Sequence, residues 1–333
     1  MKSKDELWRR WVAKAYDGIS FGMINALHLR GAAGFCSLEE MEAYIEQLEA
    51  VPIDEFYRIP EEAGSADIPE FGHRFLDSPR PYDCEENNQV SLEYWPGPDG
   101  WNSPVMFLLH GVMSVSDVGY KLWAKKLNAL GWGAIFFHLP YHYGRRPKNA
   151  MSGEMALTSN IIRTTEGIRQ AVIEMRWINQ ALRERGVPAI GIWATSYGGW
   201  IGSLLAVLEN DVRMVMLLEP IVDVDIAIWE SPATRTLRRQ LRHRGITRDL
   251  LRRLVPVACP THHQPKLDSD KILLAAGQYD EIAPTRTIRA LQQHWRGSHY
   301  MELPQGHVGY QLMPQSLKWA RNRWPELFTE SQR

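Results

Sequence analysis

Gly191-Ile-Trp-Ala-Thr-Ser-Tyr-Gly-Gly-Trp200 is the stretch that decides the fold of this 333-residue chain. It lies within Val187–Leu208, a run without a single charged residue. A run of that length is long enough for a transmembrane helix. Pro188, Ser196 and the Gly198-Gly199 pair divide it instead into an extended half and a helical half. The expectation is a buried strand, a sharp turn at Ser196 and a buried helix, with no membrane span. Small residues beside Ser196 let the backbone close a turn that a Cβ would obstruct. The hydroxyl then stands above the strand end, and the N-terminus of the next helix, where amides and dipole favour negative charge, points at it. Read alone, the same pattern also fits a tight turn that caps a helix.

Outward from this segment, short apolar runs alternate with helical patterns from residue 104 onward. Pro104–Leu109, Gly133–Phe137, Ala189–Trp193, Val212–Leu218, Lys271–Ala276 and His299–Leu303 read as strands. Most are nearly continuous in hydrophobicity, as parallel strands covered on both faces are. Tyr120, Trp123, Leu127 and Leu130 keep helical spacing, and Gly131 stops that helix. Ile161, Ile168, Val172, Met175 and Leu182 form a longer stripe, with Ser159 as its N-cap and Gly186 as its stop. Strand–helix alternation predicts an α/β class built on a parallel sheet. Residues 1–85 read as a helical extension (Leu7–Leu29 and Ser37–Leu48) with an irregular, Pro- and acid-rich end. Residues 86–333 form the sheet domain, with Gln89–Tyr94 at the sheet edge. Residues 222–266, long for a connection, read as a helical insertion.

Composition narrows the functional classes. With 38 Lys+Arg against 39 Asp+Glu, the chain lacks the positive excess of a dedicated nucleic-acid binder. Thirteen Trp, 12 Tyr and 9 Phe exclude a disordered chain. Cys36, Cys84 and Cys259 are few and far apart, so neither a disulfide framework nor a zinc site is expected. The first residues carry no apolar signal region, and a reduced, cytoplasmic protein is the expectation.

Three further motifs follow in chain order. Phe107-Leu-Leu-His110-Gly111-Val112-Met113 ends the first strong strand. Gly277-Gln-Tyr-Asp280-Glu-Ile-Ala-Pro284 places an acid just past another strand, where it could equally cap the following helix. Leu303-Pro-Gln-Gly306-His307-Val-Gly309 follows the last strand. With the Ser196 turn, these resemble the α/β-hydrolase superfamily over roughly residues 88–325, with Ala194 standing where the G-x-S-x-G elbow usually has glycine. The resemblance is to serine esterases and lipases. The Ser-Tyr-Gly-Gly elbow is also similar to prolyl-oligopeptidase-type and acetyl-xylan-esterase-like members.

That resemblance implies Ser196 as nucleophile, His307 as general base and Asp280 as its orienting acid, with Glu219 as the rival acid. It implies the amides of Tyr197 and Val112 as oxyanion donors, and a structural His110. The implied reaction is hydrolysis of an ester or related acyl bond of a small molecule, with neither cofactor nor metal. Exopeptidase or acyltransferase chemistry would use the same groups, and a non-catalytic binding protein retaining the fold is a separate class.

The loop Leu139–Pro147 lies at the same sheet edge, so Tyr141, His142 and Arg145 are candidates to line the entrance. Pro140 breaks the helix that His138 and His142 would need to pair on a metal. Eight arginines between 235 and 253 read either as a face for an anionic substrate or as a solvated surface paired with acids. Residues 1–85 would also serve as an arm for homo-oligomer assembly.

Overall fold

One eight-stranded sheet organises the computed structural model, which describes residues 4–31, 34–309 and 311–328. The strands are β1 (Gly72–Asp77), β2 (Gln89–Trp95), β3 (Val105–Leu109), β4 (Gly133–His138), β5 (Ile190–Thr195), β6 (Met214–Leu218), β7 (Ile272–Gly277) and β8 (His299–Leu303). Helices α1 (Lys4–Arg30), α2 (Leu38–Leu48) and α3 (Ile53–Phe56) precede the sheet. Helices α4 (Val118–Asn128), α5 (Ile161–Glu184) and α6 (Tyr197–Leu208) follow β3, β4 and β5. Four short helices occupy the insertion between β6 and β7: α7 (Val224–Trp229), α8 (Arg235–His243), α9 (Arg248–Arg252) and α10 (Val255–Ala258). Helices α11 (Thr285–His294) and α12 (Leu312–Arg323) follow β7 and β8.

The strand order is β1-β2-β4-β3-β5-β6-β7-β8. Strands β3 to β8 run parallel, while β1 and β2 are antiparallel to their neighbours. Alternate residues of each central strand feed two core layers. Phe107, Leu109, Ile135, Phe137, Ile192 and Leu217 pack toward α5 and α6. Met106, Leu108, Phe136, Trp193 and Met216 pack toward α4 and α12. Because both faces are covered, these strands lack polar alternation. From β3 the chain turns to β4 on one side, and later to β5 on the other. That reversal opens a crevice at the carboxyl ends of β3 and β5, where open α/β sheets bind ligands.

The edge position falls to β1, not to β2 as expected. In β1 only Leu76 is buried, so no alternation marks it in the sequence, and β2 is covered on both sides. The sheet therefore begins upstream of the expected boundary at residue 85. The long helix α5 is capped by Asn160, whose side chain accepts the Arg163 amide, one residue after the expected Ser159. Ser37 and Glu40 form the reciprocal capping box of α2. Among the described residues, no helix is long and apolar enough to cross a membrane.

Helix α1 lies against the insertion. Asn25 donates to the Pro232 carbonyl and accepts the Thr236 amide, and Gln240 donates to the His28 carbonyl. Its opposite face leaves Trp8, Trp11, Ile19 and Met23 exposed. Within the insertion Leu237, Leu241, Leu251 and Leu254 are buried. Arg248 and Arg252 pair with Asp225, and Arg253 with Glu49.

Candidate active site

Ser196 sits between β5 and α6 with φ 55° and ψ −115°, a region that costs a non-glycine residue roughly 1–3 kcal/mol. Its surroundings hold it there. The Ser196 amide donates to the Leu218 carbonyl at 2.8 Å, and the Gly198 amide to the His110 carbonyl at 3.0 Å. A Cβ at Gly198 would lie 2.7 Å from that carbonyl oxygen, and one at Gly199 2.8 Å from the backbone of Pro220. The two glycines therefore let α6 start directly against the ends of β3 and β6. The Tyr197 amide, at the first position of α6, has no acceptor within the helix. Val112 lies across the cavity mouth in the loop after β3. His110 is buried, accepts the Leu139 amide through Nε2 and faces the Gly111 carbonyl through Nδ1, which fixes that loop.

Three loops bring three side chains into line. Ser196 Oγ is 2.7 Å from His307 Nε2, and His307 Nδ1 is 2.8 Å from Asp280 Oδ2. In the neutral ring the carboxylate fixes the tautomer: Nδ1–H donates to Asp280, leaving Nε2 to accept from the serine. Asp280 also performs the capping role considered for it, because Oδ1 accepts the Ile282 and Ala283 amides at 2.8 and 2.9 Å. One oxygen holds the turn and the other faces the histidine. Burial works to lower the His307 pKa, but the adjacent Asp280 outweighs it, with Glu219 and Asp17 adding to the rise, to about 9.

Glu219, the rival acid, is buried, contributes to the cavity lining and accepts from Gln305 Nε2 at 2.9 Å. Burial, reinforced by the charge of Asp280, pushes it well above the ordinary carboxyl range despite the pull of His307. Glu219, Asp280 and His307 form a metal-compatible grouping, their ligand atoms within 4.8 Å of one another. The hydrogen-bonding distance between His307 Nδ1 and Asp280 leaves a proton where a cation would have to sit.

Asp17 of α1 escaped the reading of the sequence. It is 1% exposed, and its carboxylate accepts the amides of His307 and Val308, each at 3.0 Å. The signal in the sequence was faint but real. Asp17 is the lone acid between residues 7 and 38, on a helical face shared with the buried Ala13, Ile24 and His28.

A cavity of about 320 Å³ opens over Ser196 and His307. The loop after β3 supplies Gly111, Val112, Met113 and Ser114; α1 supplies Ser20 and Ile24; the insertion supplies Ala227, Ser231, Ala233 and Thr234. None of the insertion's arginines lines it.

Tyr141, His142 and Arg145, expected at the entrance, lie elsewhere: all three are fully buried and outside the cavity lining. The Tyr141 hydroxyl donates to Asp83. His142 Nε2 lies 2.7 Å from the Val112 carbonyl oxygen, so its ring braces the β3 loop from behind. Arg145 forms a two-pronged pair with Glu174 of α5 at 2.7 and 2.8 Å and donates to the carbonyls of His138 and Asn87. A charged loop residue beside a buried acid is drawn inward to neutralise it. Removing one partner strands a buried charge, so Arg145→Met is expected to lower unfolding free energy by about 3–5 kcal/mol. Urea denaturation would read this loss, and Arg145→Met combined with Glu174→Leu should recover much of it.

No protein-family model matches the chain. Two uncharacterized proteins from two strains of Mycobacterium tuberculosis are 25% identical over 234 residues, 69% of this chain and 54% of theirs. The chain thus spans about half the length of the curated relatives it matches. Among solved structures, acetyl xylan esterase 1 from a Thermoanaerobacterium species is similar with a TM-score of 0.59 at 15% identity, over 87% of this chain and 99% of that one. A puromycin-hydrolyzing peptidase of Mycobacterium tuberculosis gives 0.54 at 14% identity, over 80% and 41%. Carboxyl esterase 2 of Tuber melanosporum gives 0.51 at 16%, over 86% and 98%. In strand order, crossover pattern and the turn that carries Ser196, the chain has the α/β-hydrolase fold.

Proposed function

We propose that this chain is a serine hydrolase that cleaves carboxylic esters of small, uncharged acyl groups. The observation that carries the reading is the line from Ser196 Oγ through both nitrogens of His307 to Asp280, at 2.7 and 2.8 Å, with Ser196 and His307 lining the cavity. In the proposed reaction Ser196 Oγ attacks the ester carbonyl while its proton passes to His307 Nε2. Asp280 keeps the imidazole oriented and stabilises it when charged. The oxyanion is met by the amides of Tyr197 and Val112, donors of a kind worth about 3–4 kcal/mol each in comparable sites. Collapse of the intermediate breaks the C–O bond, and the alcohol leaves with the proton from His307. Water then attacks the acyl-enzyme, giving its proton to His307, and the acid departs from Ser196.

The lining supports the choice of substrate. Beyond the reacting groups it offers apolar side chains and the hydroxyl residues Ser20, Ser114, Thr195, Ser231 and Thr234. The hydroxyls of Ser231 and Thr234 are already bound to backbone carbonyls. Among the described residues no Lys or Arg lines the cavity, so an anionic acyl group would find neither there. The fold shared with two esterases adds support by analogy.

Labelling of the full chain with a fluorophosphonate tests the reading. One adduct by intact mass, mapped to the Ser196 peptide, is expected, together with faster turnover of acetyl and butyryl than of long-chain nitrophenyl esters. A folded chain that takes no label, or takes it at another residue, would overturn the proposal.

A further inference from the structure

The N-terminal helix reaches the reacting groups, although nearly the whole chain separates them in sequence. Asp17 and His307 are 290 residues apart. The loop that carries His307 is short and lies past the last strand, β8, at the sheet edge. Neighbouring strands therefore cannot hold its amides. Asp17 does so, one carboxylate oxygen to His307 and the other to Val308. The fit is close: a Cβ on Gly306 would lie 2.6–2.8 Å from the carboxylate atoms. The helix cannot slide away, because Asn25 and Gln240 tie it to the insertion and Lys14 pairs with Glu281 at 3.0 Å, next to Asp280.

We propose that Asp17 is a positioning residue for His307, setting the histidine's distance to Ser196 from the N-terminal helix through the two loop amides. The inference rests on reading Ser196, His307 and Asp280 as the reacting groups. It gives α1 a role beyond covering the cavity with Ser20 and Ile24. A purely apolar contact would hold the helix as firmly, and a buried carboxylate carries a desolvation cost that such a contact avoids. Burial raises the Asp17 pKa, opposed by the two loop amides; what the ionised carboxylate adds is geometry at those amides and a negative charge beside the imidazole. The charged and titratable groups facing His307 are then Asp280 after β7, Glu219 after β6 and Asp17 on α1.

Asp17→Asn is nearly isosteric, keeps one acceptor oxygen and removes the charge. The expected result is a fall of roughly 100-fold in fluorophosphonate labelling rate and in kcat for ester hydrolysis, as misplacement of a reacting group by about 1 Å produces, with KM little changed. The charge gives a second readout. An anion beside the imidazole favours its protonated form, so its loss should move the acidic limb of the kcat/KM profile to lower pH. Asp17→Ala should show the same shift and a larger fall in rate. Circular dichroism and urea unfolding would establish how much of each variant is folded, and rates would be taken per folded molecule.

Folded variants that label at the wild-type rate with an unmoved acidic limb would overturn the inference while wild-type labelling at Ser196 left the serine reading standing. A wild type that takes no label would overturn both.

Discussion

Replacing Ser196 by alanine is expected to lower kcat for ester hydrolysis by a factor on the order of 10⁶, roughly 8 kcal/mol of transition-state stabilisation. The loss is large because the serine supplies the attacking atom and also gives up the proton whose transfer to His307 makes attack feasible. The turn should survive the change. Ser196 is held by its backbone, with the amide on Leu218 and the carbonyl accepting from Trp200 and Ile221, and the hydroxyl caps nothing. Residual activity should remain above the uncatalysed rate, since the cavity and the amides of Tyr197 and Val112 would still bind and polarise the carbonyl. His307→Ala should cost about as much, and the double variant scarcely more, because the two groups act as one unit. Additive losses would show two independent contributions and would sink the proposal that the histidine activates the serine. Steady-state rates on a nitrophenyl ester, with labelling as a parallel check, supply all three comparisons.

Local chemistry explains why much of the fold could be read in the sequence. Parallel strands covered on both faces must be apolar throughout, so β3, β4, β5, β6 and β7 stand out as uninterrupted runs. The start of α6 leaves no room for a Cβ against the ends of β3 and β6, which marks the turn by Gly198 and Gly199. The features that escaped depend on what lies across space. β1 exposes most of its side chains as an edge strand, and its neighbours in sequence gave no period to follow. Arg145 looks like any cation in a polar loop until Glu174, buried on α5, meets it. Likewise His142 faces a backbone carbonyl, a partner that no side-chain pattern records. Asp17 is the clearest case. Its partners are two backbone amides at the far end of the chain, so the sole trace in the sequence is an acid on the otherwise apolar inner face of a helix.

The identity of the acid that orients His307 is open to the sharpest test, because the two candidates differ in place and in hydrogen-bond partner. Asp280→Asn should lower kcat by about 10⁴-fold. The cause lies in how the carboxylate is held. Oδ1 accepts the amides of Ile282 and Ala283, so an asparagine must put its carbonyl oxygen there and turn its NH2 toward His307 Nδ1. Two donors would then face each other, and the ring would move its proton to Nε2. That nitrogen could no longer accept from Ser196, and the base would be lost with the geometry nearly intact. Glu219→Gln should behave differently. Burial raises the Glu219 pKa, and a glutamine would keep a carbonyl oxygen for Gln305 Nε2 to donate to. A loss of less than about tenfold, under about 1.4 kcal/mol, is expected. The reverse ranking, with Glu219→Gln crippled and Asp280→Asn active, would transfer the orienting role to the end of β6 and leave Asp280 as a turn cap. Measured side by side with unfolding curves, the two variants separate the acid that must accept from His307 Nδ1 from the one that need not.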